Sequence, residues 1–222
     1  KKAGIKMLFG VEAYFINDVD DMPTVRGTMD ASFCEEYVCF DLETTGLDAR
    51  KDRITEIGAV VLKNGVVTDE VFSTFVDPER PIPYEVSQLT GITDDMVRGA
   101  PSQSEAVRQF LKFVNGRPLA AHNVGFIAEA CRRMGVSLDV TAVDTLPLAQ
   151  ALLPQLSKHK LDVVADHLGL PSFNHHRATD DASTVAYMLV PFFKRLEEEH
   201  GIHSLDPINR WAAERNQKRK GK

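Results

Sequence analysis

Two carboxylates lie two residues apart in a stretch that otherwise has the composition of a buried strand, Tyr37-Val-Cys-Phe-Asp-Leu-Glu-Thr-Thr-Gly-Leu47. Because side chains alternate faces along a strand, Asp41 and Glu43 should project from the same face. Carboxylates held this close repel each other unless protons or cations neutralise them, and hard cations such as Mg²⁺ or Mn²⁺ prefer oxygen ligands. The spacing indicates half of a metal site at a strand end; two solvated acids at an exposed strand end are the alternative.

A second acidic stretch, His175-His-Arg-Ala-Thr-Asp-Asp-Ala182, lies where a loop is predicted to enter a helix. Asp180 and Asp181 would fall in the first helical turn, where the helix dipole favours a carboxylate. His176, five residues before Asp181, could swing over the same site. A lone histidine is more often a satisfied or solvated side chain, and it is the conjunction with the Asp-x-Glu strand that favours a shared site.

The elements that must position these residues follow a mixed α/β pattern. Strands are predicted over Ile54–Leu62 and Val66–Val76, joined by the hairpin signal Asn64-Gly65, so the first three strands should form an antiparallel meander. Ser102-Gln-Ser-Glu105 is a capping-box pattern that predicts the start of an amphipathic helix ending at Asn115-Gly116.

The second half of the chain alternates short buried strands with helices. Its last predicted helix is the most amphipathic, and Pro191 inside it should produce a kink. The predicted elements are strands over Pro118–His122 and Val140–Val143, helices over Val124–Met134, Leu146–Leu153 and Leu161–Leu168, and a final helix carrying Val185, Met188, Leu189, Phe192, Phe193 and Leu196.

Composition excludes several classes of protein. The 222 residues are 43% hydrophobic and 26% charged, which fits one α/β domain with flanking pieces. Three cysteines without a CxxC pattern fit a reducing cytoplasm, and no apolar run has membrane-spanning length, so no membrane partner is expected. The net charge of −6 is not the footprint of a protein that binds duplex by charge alone, although a cluster of metal-binding carboxylates also makes the metal-free count acidic.

The motifs, taken together, resemble DEDDh-type 3′→5′ exonucleases. They occur in the order of that family, and the segment Gly4–Tyr14 resembles a phosphoesterase-like (PHP) segment of bacterial replicative polymerases. In PolC-type polymerase III α subunits the proofreading exonuclease is inserted within the PHP domain. The matching motifs are Phe40-Asp-Leu-Glu-Thr-Thr-Gly46, Leu89-Thr-Gly-Ile-Thr93, Ala121-His-Asn123, Val143-Asp-Thr-Leu146 and His176-Arg-Ala-Thr-Asp-Asp181.

The resemblance implies an RNase H-like (DnaQ-like exonuclease) α/β fold: a central mixed sheet with three antiparallel strands followed by parallel strands, flanked by helices. It also implies three parts: residues 1–35 as a PHP fragment with a polar linker up to Ser32, residues 36–200 as the exonuclease, and residues 201–222 as a basic tail that begins the returning PHP sequence. The implied partners are a single-stranded DNA 3′ end and the rest of the polymerase chain and replisome, in the cytoplasm.

The family's functional roles can be carried over onto matching positions. Asp41, Glu43 and Asp181 would ligate two divalent metals, Mg²⁺ or Mn²⁺, and His176 would be the general base that activates the attacking water. The resemblance further implies nucleic-acid contacts by Thr44, Leu47, His122 and Asn123, and a structural role for Asp144.

The sequence departs from the family pattern His-Asn-x-x-Phe-Asp. Here the run is His122-Asn-Val-Gly-Phe-Ile127, so Ile127 stands where the fourth metal-binding carboxylate is expected. Either the aspartate is replaced by isoleucine, or about four residues of the form x-x-Phe-Asp are missing between Asn123 and Val124. A deletion of about four residues is close to one helical turn of about 3.6 residues and preserves the apolar face, so we favour it. That face comprises Phe126, Ile127, Ala130, Cys131 and Met134.

Losing a metal ligand predicts an impaired or inactive exonuclease. Glu129 is the remaining acid between His122 and Leu138, but two positions further along a helix rotates a side chain by about 200°, so we do not expect it to complete the site. Three alternatives to a DNA proofreading module remain: an RNA-trimming exonuclease of the same superfamily, a non-catalytic module that binds a 3′ end or a replisome subunit, and a metal-free structural insert.

Overall fold

The computed structural model describes residues 23–171 and 177–220, with side chains described up to residue 215. Three predictions lie outside the described residues: the PHP-like segment Gly4–Tyr14, the placement of His176, and the side chains of the most basic part of the tail, residues 216–222.

One mixed sheet forms the centre of the described part of the chain. Its strands are β1 Val25–Arg26, β2 Glu36–Thr44, β3 Ile54–Lys63, β4 Val66–Phe75, β5 Leu119–Ala121 and β6 Ala142–Asp144. They lie in the order β1-β6-β5-β2-β3-β4. Strands β2, β3 and β4 are antiparallel, whereas β5 and β6 run parallel to β2 and β1 runs antiparallel to β6. The predicted mixed sheet with its antiparallel meander is therefore confirmed.

Helices flank both faces of this sheet. They are α1 Tyr84–Thr90, α2 Asp94–Val97, α3 Gln103–Val114, α4 Gly125–Met134, α5 Thr145–Leu152, α6 Leu161–Leu168, α7 Ala178–His200 and α8 Ile208–Lys220. Each predicted helix is present, with bounds within about two residues of the prediction. Pro191 lies inside α7, which continues through this residue as one helix. None of the described helices combines the length and apolarity that crossing a membrane requires.

The alternation of side chains along β2 divides the core in two. Tyr37 and Cys39 pack in a cluster with the apolar stripe of α7. Val38 and Phe40 pack on the opposite face with residues of α3 and α4. Asp41 and Glu43 continue the alternation of Tyr37 and Cys39, so both carboxylates face α7.

The predicted capping box does not form at the start of α3. Ser102 is the N-cap residue, but its side chain makes no capping hydrogen bond. The next side chain, Gln103, is buried instead: its Nε2 donates to the Ile54 carbonyl at 2.7 Å and its Oε1 accepts from the Ile54 N–H at 3.1 Å. This pair ties the start of α3 to the start of β3, the middle strand of the meander.

The segment before β2 is not the free linker that its polar residues suggest. β1 adds to the sheet edge beside β6, and the Phe33 ring stacks on Phe193 with centroids 4.1 Å apart. The chain after α7 also packs on the domain, where Leu205 and Ile208 are fully buried. Apolar side chains in both flanks therefore bury against the α7 face, while the assignment of these flanks to a PHP domain stays a prediction.

Candidate active site

The three predicted metal ligands form one acidic cluster. Carboxylate oxygens of Asp41, Glu43 and Asp181 all lie within 4.8 Å of one another. Glu43 and Asp181 are buried, and Asp41 is partly exposed. Among the residues that the structure describes, this is the single group of three or more acidic, histidine or cysteine side chains close enough to share a metal ion.

A glycine on β3 allows α7 to approach the strand that carries these acids. Gly58 pairs with Asp41 in the sheet register. A Cβ atom at Gly58 would lie 2.2 Å from the Ala178 carbonyl carbon and 2.2 Å from the Thr179 nitrogen. The first turn of α7 therefore rests directly on the sheet, and this close contact brings Asp181 to Asp41 and Glu43.

A fourth acid, Glu56, fixes the same helix end. Glu56 lies opposite Glu43 in the β2–β3 register and is 1% exposed. Its Oε1 lies 3.0 Å from Arg177 Nη2, and its Oε2 accepts from the Ala178 N–H at 3.3 Å. Sequence analysis did not identify Glu56; the available signal was an acid within the otherwise apolar strand Ile54-Thr-Glu-Ile57.

Burial and mutual repulsion disfavour the charged forms of the cluster. Desolvation, followed by the charges of Asp181 and Glu56, raises the pKa of Glu43 to about 7. Burial together with Asp181 and Glu43 raises the pKa of Asp41 well above its usual range. A site in which several carboxylates compete for protons and present only oxygen atoms suits a hard divalent cation.

The cluster opens into a cavity of about 630 Å³. Leu47, whose side chain is fully exposed, and Thr44 line this cavity, and contacts of these two residues with a nucleotide stay predictions. The Thr44 hydroxyl donates to the Gly46 carbonyl at 2.6 Å, so it holds the loop that carries Leu47. The exposed Lys160, at the N-cap of α6, also lines the cavity, and sequence analysis did not identify it.

His122 and Asn123 line an adjacent cavity together with Asp41 and Leu47. The ring nitrogens of His122 already have internal partners: Nδ1 lies 3.0 Å from the Thr145 hydroxyl, and Nε2 lies 2.7 Å from the His159 carbonyl, to which it must donate. Burial lowers the pKa of His122, which favours the neutral ring. Through its contact with the His159 carbonyl, His122 holds the loop that precedes Lys160. Contacts of His122 and Asn123 with nucleic acid stay predictions.

The position expected to carry the fourth ligand faces the core. Ile127 is fully buried in the apolar cluster that is formed by side chains of β2, α3 and α4. The favoured apolar face of α4 is present: Ala130 and Cys131 are also buried, and Phe126 packs against the same cluster. Glu129 is held by Arg132 through two contacts, at 2.7 and 2.8 Å, and is absent from the acidic cluster.

Asp144 is a structural residue, as predicted. It is 2% exposed and caps α5 by accepting from the Leu146 N–H at 3.1 Å. The same carboxylate accepts from the N–H groups of Asn123 and Val124, each at 3.0 Å. One buried acid therefore fixes the ends of β5 and β6 on the edge of the sheet where the acidic cluster lies.

A family model described as an exonuclease (RNase_T) matches residues 38–189. The chain is also 46% identical over 213 residues to a DNA polymerase III PolC-type of Clostridium perfringens, covering 94% of this chain and 14% of that polymerase. The chain therefore spans a small part of this relative.

Solved structures show the same fold. An Exonuclease X in complex with 5′ overhanging duplex DNA superposes with a TM-score of 0.61 at 22% identity, covering 82% of this chain and 98% of the other. The nuclease domain of 3′hExo, described as a DEDDh family member bound to rAMP, gives a TM-score of 0.61 at 17% identity, covering 78% and 98%. At these identities the likeness establishes the RNase H-like fold.

Proposed function

This chain belongs to the exonuclease (RNase_T) family, and on that premise we propose that it is the proofreading 3′→5′ exonuclease domain of a PolC-type DNA polymerase. The observation that carries the proposal is the cluster of Asp41, Glu43 and Asp181, assembled from β2 and α7 within 4.8 Å at the floor of an open cavity. The proposed reaction is hydrolysis of the 3′-terminal nucleotide of a DNA strand, and the proposed partners are that strand and the remainder of the polymerase and replisome.

The proposed roles follow from position. Asp41, Glu43 and Asp181 would hold two divalent cations, Mg²⁺ or Mn²⁺, which when bound neutralise the charge that develops on a phosphoryl group during in-line displacement. Leu47, exposed at the cavity rim, would pack against the terminal base, and Lys160 would pair with a phosphate. His176, which lies outside the described residues, would take the proton from the attacking water.

The similarity to PolC favours DNA over RNA as the substrate. The fold does not separate the two, since neighbouring structures include one described with duplex DNA and one bound to rAMP. Comparing degradation of matched DNA and RNA oligonucleotides tests this choice, and faster cleavage of RNA would favour the RNA-trimming alternative.

We further propose that the exonuclease activity of this chain is impaired because one metal ligand is missing. Three observations support this: the acidic cluster has three members, Ile127 is buried, and Glu129 is bound to Arg132. The same observations favour a second candidate function, a non-catalytic module that binds DNA 3′ ends within the polymerase.

The test is degradation of a 5′-labelled single-stranded DNA oligonucleotide in Mn²⁺. The chain is compared with a version that carries Ala-Ser-Phe-Asp inserted between Asn123 and Val124, and with Asp41→Ala in both backgrounds. We expect cleavage by the inserted version, loss of that cleavage in Asp41→Ala, and little or none by the chain itself. Tight binding without cleavage in either version would select the non-catalytic module.

A further variant tests whether Glu129 supplies the missing metal ligand. If the chain cleaves as fast as the inserted version, Glu129→Gln shows whether Glu129 completes the site. Cleavage that survives in the chain but is lost in Glu129→Gln would contradict the placement of Glu129 on an exposed ion pair.

A further inference from the structure

Four arginines gather around the loop that joins β2 to β3. Arg133, near the end of α4, donates from Nη1 to the carbonyls of Arg50 at 3.1 Å and Asp52 at 2.9 Å. Arg80 and Arg53 each donate from Nη1 to the Lys51 carbonyl, at 3.1 and 3.3 Å. Three separate segments of the chain thus place guanidinium groups on one loop; we call Arg50, Arg53, Arg80 and Arg133 the basic surface.

The charges of the basic surface are not neutralised by ion pairs. Among the described residues, none of these four guanidinium groups forms a salt bridge with a carboxylate within 4.0 Å. Glu129, the acid close to Arg133, is bound to Arg132. Burial, and then the positive charges of Arg53 and Arg80, lower the pKa of Arg133, as expected where cations are concentrated. Such a concentration is unusual in a chain with a net charge of −6.

The hydrogen bonds to backbone carbonyls leave donors free. A guanidinium has five N–H groups, and each arginine that bonds a carbonyl does so through Nη1. Arg53 and Arg133 line a cavity of about 290 Å³, which is also lined by the hydroxyl-bearing Ser102 and Ser104 and by the acidic Glu79. Arg50 and Arg80 are exposed. The surface therefore offers partly oriented guanidinium forks, whose geometry matches phosphate.

The basic surface adjoins the acidic cluster through the same loop. Leu47, which lines the catalytic cavity, is three residues from Arg50, so their Cα atoms are at most about 11 Å apart. Phosphates along a duplex are about 3.4 Å apart per strand and those of an extended single strand are further apart, so this distance corresponds to at most roughly three nucleotides. A strand whose 3′ end lies at the acidic cluster can therefore reach the basic surface with its next few phosphates.

We propose that the basic surface binds the phosphate backbone of single-stranded DNA a few nucleotides upstream of the 3′ end. This inference rests on the proposed function, because the acidic cluster is taken as the position of the 3′ terminus. The contacts are to phosphates, so binding is independent of base sequence and weakens with salt.

The test is fluorescence anisotropy with 5′-labelled dT2 and dT12 that carry 3′-terminal phosphorothioate linkages to prevent cleavage, in Mn²⁺. The double variant Arg80→Gln/Arg133→Gln is compared with a charge-matched control, Arg98→Gln/Lys194→Gln, whose side chains form exposed ion pairs with Asp95 and Glu198. We expect the double variant to lose about tenfold or more in dT12 affinity and little in dT2 affinity, because dT2 is too short to reach the basic surface, with the salt slope for dT12 falling by about 1.4.

A second variant avoids any effect on folding. The Arg50 side chain is exposed and has no hydrogen bond or ion pair in the described structure, so Arg50→Gln should leave the thermal unfolding temperature unchanged and reduce the dT12 salt slope by about 0.7. Unchanged dT12 binding in both variants, or equal losses for dT2 and dT12, would show that the basic surface does not bind the upstream phosphates, and would leave the proposed 3′-end site in place. Failure of the parent chain to bind either oligonucleotide would overturn both proposals.

Discussion

The Arg177 guanidinium lies 3.0 Å from the buried Glu56 carboxylate, which also accepts the N–H of Ala178. This pair joins the start of α7 to the beginning of β3, at the strand position opposite Glu43. Because Asp181 lies one turn further along α7, the pair orients the helix-borne member of the acidic cluster.

The first prediction concerns this pair. Glu56→Gln keeps the size of the side chain but removes its charge, so the Arg177 contact weakens and Asp181 is less firmly placed. We expect Mn²⁺ affinity to fall by about 10–100-fold, as for other groups that support metal ligands. Isothermal titration calorimetry measures this, with Glu129→Gln, which breaks the exposed pair with Arg132, as the matched control. Equal affinities in the two variants would remove Glu56 from this role.

The second prediction concerns pH. The pKa of Glu43 rises from 4.5 to about 7 on folding, mainly through desolvation. Between these values the native carboxyl retains a proton that the unfolded chain releases, so the free energy of unfolding of the metal-free protein should fall as pH rises through this window. The fall should be on the order of 2–3 kcal/mol larger in the parent protein than in Glu43→Gln, in which Asp41, whose pKa is also raised, still contributes.

Urea unfolding at pH 5 and pH 7.5 in EDTA measures this effect. Adding Mn²⁺ at pH 7.5 should restore the lost stability of the parent protein, because the cation replaces protons at the cluster. A parent protein that is more stable at pH 7.5 than at pH 5 without metal, relative to Glu43→Gln, would contradict the burial of this carboxyl.

The third prediction concerns the contact of α7 with β3. Gly58→Ala places a Cβ 2.2 Å from backbone atoms of Ala178 and Thr179, so the helix must move away from the sheet. We expect a destabilisation of about 1–3 kcal/mol and weaker Mn²⁺ binding, since Asp181 moves with the helix. Ser73→Ala is the control, because Ser73 pairs with Gly58 on β4 and its side chain is exposed. Normal metal affinity in Gly58→Ala would show that the helix position does not govern the cluster.

The fourth prediction concerns Asp144. Asp144→Ala removes the acceptor of three backbone N–H groups, those of Asn123, Val124 and Leu146. We expect a loss of about 2–4 kcal/mol in the free energy of unfolding, because buried donors are left unsatisfied. The control is Asp139→Ala, which changes an exposed acid on the loop between α4 and β6. It should alter stability by less than about 0.5 kcal/mol in the same urea titration. A loss below about 1 kcal/mol in Asp144→Ala would show that other residues hold the ends of β5 and β6 in place.

Local patterns were enough to predict much of the fold and part of the site. Strict alternation in β2 placed Asp41 and Glu43 on one face, and the Asn64-Gly65 turn predicted the antiparallel meander. These predictions succeed because strand alternation and turn conformation depend on near neighbours in the chain. The match to an ordered set of family motifs added Asp181 to the same site.

Other features depend on contacts between distant segments, and only the tertiary structure decided them. Glu56 acts through a helix that begins 122 residues later, and the basic surface joins segments more than 80 residues apart in sequence. Ser102 caps α3 without its side chain, because the adjacent Gln103 amide finds a buried backbone partner on β3. The sequence by itself determined which faces of strands and helices are apolar, whereas the tertiary structure decided which charges meet, because burial and proximity of charges arise only when those faces pack together.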